Sequence, residues 1–147
     1  MTCMNGKFPR TLDAKNRLII PSKLRDDLGS KIVLAASFDN CIDVYSAEEW
    51  AIFTEKLDRL PDSKKEYRAL KMYFHSNATD FELDSQGRIT IPQEQMEMGN
   101  LGKEVIVIGL GKKAQIWNAE TYRETHPSLE QQRDDVVKIA EDLDIDI

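Results

Sequence analysis

Two cysteines and two histidines are all that this 147-residue chain offers for thiolate or imidazole chemistry. Cys3 and Cys41 are too few and too isolated for a disulfide framework or a thiolate zinc site. His75 and His126 have no cysteine or histidine beside them at ligand spacing. No metal or other cofactor is therefore expected. No nucleophile–base pair stands out either. Gly109-Leu110-Gly111 is a Gly-x-Gly at a hairpin position, without the rest of a phosphate-cradling loop. Neither an enzyme nor a small-molecule substrate is expected. No apolar run approaches the ~20 residues that a membrane-spanning helix needs. The opening Met1-Thr2-Cys3-Met4-Asn5-Gly6-Lys7 lacks a signal peptide's apolar stretch. The expectation is a cytoplasmic protein without a membrane partner.

What is present is 41% hydrophobic and 31% charged residues, the balance of a globular chain. The net charge of −6 speaks against nucleic acid when taken whole, but it is unevenly spread. Residues 1–35 hold seven basic side chains against three acidic ones (Asp13, Asp26 and Asp27). The last 22 residues hold Arg133 and Lys138 against seven carboxylates. A basic segment thus opens an otherwise acidic chain, and Asp26-Asp27 reads as a solvated helix face.

An internal repeat organises the chain. Residues 12–21 read Leu-Asp-Ala-Lys-Asn-Arg-Leu-Ile-Ile-Pro and residues 83–92 read Leu-Asp-Ser-Gln-Gly-Arg-Ile-Thr-Ile-Pro, five of ten identical at an offset of 71. Leu28-Gly29 through Leu34 matches Leu101-Gly102 through Val107, and Val44-Tyr45 through Trp50 matches Ile116-Trp117 through Tyr122. Each copy reads as strand, turn, strand, short helix, strand, hairpin, strand, helix. Asn16 and Gly87 supply the left-handed residue of each turn. Pro21 and Pro92 are expected at the first position of short helices that stop at Gly29 and Gly99. Ser46 with Glu49 predicts a capping box, and Tyr45 with Trp50 a hydrophobic staple. Trp117 with Tyr122, around an Asn118 cap, repeats the staple. A further helix is expected from a Ser63 cap to Asn77.

About 45 residues of short strands cannot easily bury a core alone. Residues 1–125 are therefore read as one pseudo-symmetric α+β domain, rich in β-structure. Repeat one covers about 7–53, a helical insert 54–76, and repeat two about 78–125. Residues 126–147 form an acidic amphipathic helix with Leu129, Val136, Ala140 and Leu143 on one stripe. That helix is expected to pack on its own body, with a neighbouring subunit as the alternative. The sequence assigns it no function.

The duplicated Asp-x-x-x-Arg turn is the candidate site. Asp13 and Asp84 can bond the turn's N–H groups and aim Arg17 and Arg88. An aimed guanidinium can take guanine O6 and N7, or phosphate, with two bonds. Lys15 adds a point charge at the first tip, and Arg10, Lys23 and Arg25 lie close in sequence. The alternative, that each pair is only a clasp of its turn, stays open at this point. Charge favours the first turn as the DNA-facing edge. The second, with Gln86 in place of Lys15, is left with Asp84, Gly87 and Arg88 in a supporting role.

Leu12 through Pro21 resembles the first signature of the MraZ family, and Asn77 through Ile89 resembles its second. Val44-Tyr45 to Trp50 and Val105-Ile106-Val107-Ile108-Gly109 to Trp117 also fit, so the likeness covers residues 7 to about 125. It implies an AbrB-like swapped-hairpin double-repeat barrel with flanking helices and a ring of more than two subunits. It also implies double-stranded DNA as partner, bound at direct repeats upstream of the division and cell-wall gene cluster, with nucleoid association. By the same likeness Lys15 and Arg17 contact DNA. Asn16 stands where the family usually has Gly, the start differs from the usual Met-Phe, and the tail after His126 lies outside the signature. The competing reading is an AbrB-like antitoxin whose main partner is a protein.

Overall fold

A sequence repeated within one chain can pair its strands copy by copy or crosswise, and here the first strand of each copy crosses. The computed structural model describes residues 3–145. Met1 and Thr2 of the N-terminal reading, and Asp146 and Ile147 of the tail, lie outside the described residues. Repeat one runs β1 (Met4–Thr11), β2 (Arg17–Ile19), α1 (Ser22–Leu28), β3 (Lys31–Ala36), β4 (Ile42–Ser46), α2 (Ala47–Asp58) and α3 (Lys65–Ser76). Repeat two follows the same order as β5 (Ala78–Glu82), β6 (Arg88–Thr90), α4 (Gln93–Met98), β7 (Glu104–Gly111), β8 (Ala114–Asn118), α5 (Ala119–Thr125) and α6 (Leu129–Asp142).

The first strand of each repeat pairs inside the other repeat: β1 with β7, and its counterpart β5 with β3, both antiparallel. β4 and β8 meet in the middle with Asp43 opposite Gln115. The sheet order β1-β7-β8-β4-β3-β5 is unchanged when counterparts are exchanged and the list reversed. β2 and β6 pair only with each other, as a separate ribbon. Among the described residues the sheet is therefore open, with β1 and β5 at its edges, where the resemblance implied a barrel. Three-residue strands that run straight into Pro21 and Pro92 leave no length for wider pairing.

One core joins the repeats. Leu18 and Ile89, opposite each other in the ribbon, are buried with Leu34, Ile42 and Val44 of repeat one and Val105, Val107 and Ile116 of repeat two. The alternate residues of β3, Val33 and Ala35, face a second cluster with Tyr45, Trp50 and Phe53. β3 is thus covered on both faces, which explains its unbroken apolar run.

Several local readings shift by a residue. Pro21 and Pro92 are the helix caps, their carbonyls accepting from Leu24 and Met96, and the helices begin one residue later than expected. α4 ends in a Schellman turn whose left-handed residue is Asn100, with Leu101 N–H on Met96 O at 2.8 Å and Asn100 N–H on Glu97 O at 3.1 Å. Gly99 is needed instead for packing, since a Cβ there would lie 2.7 Å from Ile42 Cγ1. Ser46 Oγ accepts the Glu49 N–H at 3.0 Å, and Tyr45 and Trp50 stack edge-on at 5.2 Å. Ser63 does not cap α3; Lys64 does, without a side-chain bond.

The expected docking of the tail on its own body is not what the fold shows. α6 buries none of its residues, and Leu129, Val136 and Leu143 are 69%, 55% and 63% exposed.

Candidate nucleic-acid interface

Each Asp-x-x-x-Arg turn is closed by one carboxylate used three times. Asp13 Oδ1 accepts the N–H groups of Lys15 and Arg17, both at 2.9 Å, and Oδ2 accepts Arg17 Nε at 2.5 Å. Asp84 repeats this with the Gln86 and Arg88 N–H groups at 2.9 Å and Arg88 Nε at 2.8 Å. Asn16 (φ 58°) and Gly87 (φ 75°) hold the left-handed positions. The Arg17 N–H is the main reason the Asp13 carboxyl sits below its ordinary pKa of 3.8, and the Arg88 N–H acts likewise on Asp84. Both carboxylates therefore stay charged at neutral pH and fix their arginines by Nε. The terminal nitrogens of Arg17 and Arg88 have no partner among the described hydrogen bonds.

The two turns form one unit. Ile20 N–H bonds the Gly87 carbonyl at 3.0 Å, and Ile91 N–H bonds the Asn16 carbonyl at 2.9 Å. In the ribbon between them Arg17 faces Thr90, Leu18 faces Ile89 and Ile19 faces Arg88. Leu18 and Ile89 point into the core, so strand alternation turns Arg17, Ile19, Arg88 and Thr90 outward together. The two arginines are diagonal neighbours, with Cα atoms about 7–8 Å apart by ribbon geometry. Sequence reasoning passed over Ile19, which is 50% exposed on this face, opposite Arg88. The in–out alternation of Arg17-Leu18-Ile19-Ile20 was the signal for it.

The other candidate residues do not all join this face. Lys15 is exposed at the first tip, and Lys23 is exposed on α1. Arg25 turns inward: its Nε donates to the Ile20 carbonyl at 2.8 Å, and its Cζ lies 2.5 Å from where a Cβ on Gly87 would stand. It props the second turn from repeat one. Arg10 lies on β1, over the Phe8 ring, with Nη1 on the Pro9 carbonyl at 2.8 Å. Its cleft is shared with Glu104 and Arg123.

No group of three or more His, Cys, Asp or Glu suited to a metal ion occurs among the described residues. Burial pushes the Cys41 thiol up to about 12, so it stays protonated. No helix among the described residues is long and apolar enough to cross a membrane.

A family profile described as MraZ protein, antitoxin-like, matches the chain twice, over residues 4–73 and 74–142. The second match takes in α6, which the signatures had left outside. A relative named transcriptional regulator MraZ from Thermoanaerobacter sp. (strain X514) is 40% identical over 140 residues, 95% of this chain and 98% of its own. One of the same name from Caldanaerobacter subterraneus is 42% identical over 139 residues, 95% of each chain. Another, from Limosilactobacillus reuteri (strain DSM 20016), is 39% identical over 141 residues, 96% of this chain and 97% of its own. Two profile matches in tandem and identity at this level over nearly the whole length leave one conclusion: the chain belongs to the MraZ family.

Proposed function

We propose that this protein is a transcriptional regulator that reads double-stranded DNA with the outer face of its two-stranded ribbon. The observation that carries the reading is the convergence of both Asp-held arginines on one exposed face. Arg17 presents its terminal nitrogens for a guanine or a phosphate, Arg88 presents a second pair beside it, and Ile19 offers an apolar contact to a thymine methyl. A two-stranded ribbon is narrow enough to enter a major groove. Lys15 neutralises phosphate at the tip, and Lys23 and Arg10 add basic charge at a distance. Arg25 contributes by propping Gly87. The relatives' shared name, transcriptional regulator MraZ, supports the same role. The crosswise strand exchange accords with a swapped-hairpin AbrB-like unit.

On this reading residues 1–125 act as one domain, and several protomers in a ring engage successive direct repeats. That supplies by effective concentration what one lightly basic face cannot. The antitoxin-like description of the family keeps a protein partner as the second reading. Co-purification of a small ribonuclease-like protein would favour it.

The test is a set of binding isotherms against the protein's own upstream DNA, with scrambled DNA as control, at two salt concentrations. Arg17→Ala is expected to lose roughly 1–3 kcal/mol of discrimination per protomer. Lys15→Ala is expected to weaken all sequences alike and flatten the salt slope by about one unit. If Arg17→Ala stays folded and still separates operator from scrambled DNA as the parent does, the ribbon is not the reading surface.

A further inference from the structure

Repeat one shows what the last helix of a repeat is for. α3 lies over the β3–β4 loop of its own repeat. Phe74 packs edge-on against Phe38 at 5.3 Å and against Phe53 of α2 at 5.0 Å, and the Tyr73 hydroxyl bonds the Ser37 carbonyl. In repeat two the counterpart loop is the β7–β8 hairpin, Leu110–Lys113, and the counterpart helix is α6. Leu110 is 49% exposed. It shares a groove of about 390 Å³ with Tyr45, Ile52, Phe53 and Lys56 on the side of α2. α6 meanwhile carries Leu129, Val136, Ile139, Ala140 and Leu143 along one stripe and buries none of them.

Groove and helix also match in charge. Lys56, Lys112 and Lys113 rim the groove against the single carboxylate of Glu49. Lys113 is already held by Asp43 at 3.1 Å, which leaves Lys56 and Lys112 for an incoming anion. At 100° per residue, Asp135 and Asp142 fall along one border of the α6 stripe and Arg133 along the other, while Lys138 points away. An apolar floor with lysine rims therefore matches an apolar stripe bordered on one side by the carboxylates Asp135 and Asp142.

We propose that the groove between α2 and the β7–β8 hairpin is the docking site for α6 of a second copy of this chain. Within one chain the helix stands off with its stripe in solvent, although only His126-Pro127-Ser128 separates it from α5. A second copy satisfies both surfaces at once. Such a contact is heterologous, helix to groove, and hands the same pair of surfaces to the next copy, so it closes into a ring when the rotation allows. This deepens the oligomer reading above and rests on it.

The experiment is sedimentation velocity on the full chain at micromolar concentration, with melting curves to establish that each variant folds. Lys56→Glu/Lys112→Glu and Asp135→Lys/Asp142→Lys are each expected to weaken self-association at least tenfold. The fourfold variant, with both charge reversals, is expected to recover most of it. A wild-type monomer would overturn the oligomer reading and this inference together. An oligomer indifferent to every variant would overturn the inference alone. Hydrogen exchange protection of residues 129–142 that does not change with protein concentration would mean that α6 docks in its own groove, and the second copy is then wrong.

Discussion

Replacing Asp43 with Ala tests whether the repeats are welded at their centre. Asp43 lies on β4 of repeat one and is 2% exposed; its two partners come from repeat two. Gln115 Nε2 donates to Oδ1 at 2.9 Å, and Lys113 Nζ donates to Oδ2 at 3.1 Å. Gln115 is itself buried, and its Oε1 accepts the Trp117 indole N–H at 2.9 Å. The truncation strands a buried amide N–H, which costs about 1–3 kcal/mol. Lys113 keeps 31% of its side chain in solvent, so its loss falls short of the ~3–5 kcal/mol of a fully buried pair. About 3 kcal/mol together is a reasonable central figure for the two effects. For a chain of this length that is a fall in Tm of roughly 6–12 °C. Thermal melting by circular dichroism at pH 7 reads it directly, with a single transition retained because both repeats share one core. Asp43→Asn, which keeps an acceptor, is expected to lose less than half as much. A fall below about 2 °C for Asp43→Ala, or two separate transitions in the parent protein, refutes the reasoning.

Two further outcomes follow from the turns. Gly87→Ala sets a Cβ 2.5 Å from Arg25 Cζ in a left-handed backbone, and Arg25 must give up the Ile20 carbonyl. A melt should show it losing about 2–4 kcal/mol, whereas Asn16→Gly should cost well under 1 kcal/mol. Asp13 and Asp84 have lowered pKa values in the folded state, so their contribution is complete above the ordinary value of 3.8 and is lost as pH falls through the folded values. In acid titrations followed by circular dichroism, Asp13→Asn/Asp84→Asn should start less stable at pH 7 and lose less between pH 5 and pH 2.

The order of elements was legible because the repeat appears twice and punctuates itself in the same places. Asn16 and Gly87, Pro21 and Pro92, and the Tyr45–Trp50 and Trp117–Tyr122 staples each marked a boundary that the fold keeps to within a residue. Ser63 misled because a serine three residues before a glutamate also fits an exposed turn; Lys64 instead takes the extended backbone before α3. Which strand pairs with which was not legible. A period-two pattern says which side is buried, not whose strand supplies the hydrogen bonds, so the exchange of β1 and β5 left no local trace. The same limit hid the juxtaposition of Arg17 and Arg88, which are 71 residues apart in the chain and adjacent only through the ribbon. The tail stripe predicted a helix but not its partner, since amphipathicity requires a covering surface without naming one.

The departures from internal symmetry bear most directly on how DNA would be read. A symmetric pair of turns would present the same chemistry twice about a dyad, and such surfaces read palindromes. Fusing the pair into one chain frees each turn to diverge. Here Lys15 stands against Gln86, Asn16 against Gly87, and Ile19 against Thr90 at the end of the ribbon. Arg25 supports the second turn, while its counterpart, Met96, brings no guanidinium to the first. The outer face therefore has a direction, with cation and hydroxyl (Lys15, Thr90) at one end and neutral amide and apolar side chain (Gln86, Ile19) at the other. A directional reader repeated with one orientation along a duplex calls for direct repeats of its site. Making the turns alike, with Gln86→Lys and Thr90→Ile, should shift preference toward a palindromic half-site arrangement. Competition binding with direct and inverted repeats of the same half-site measures that shift, and an unchanged preference for direct repeats would place the directionality outside the ribbon.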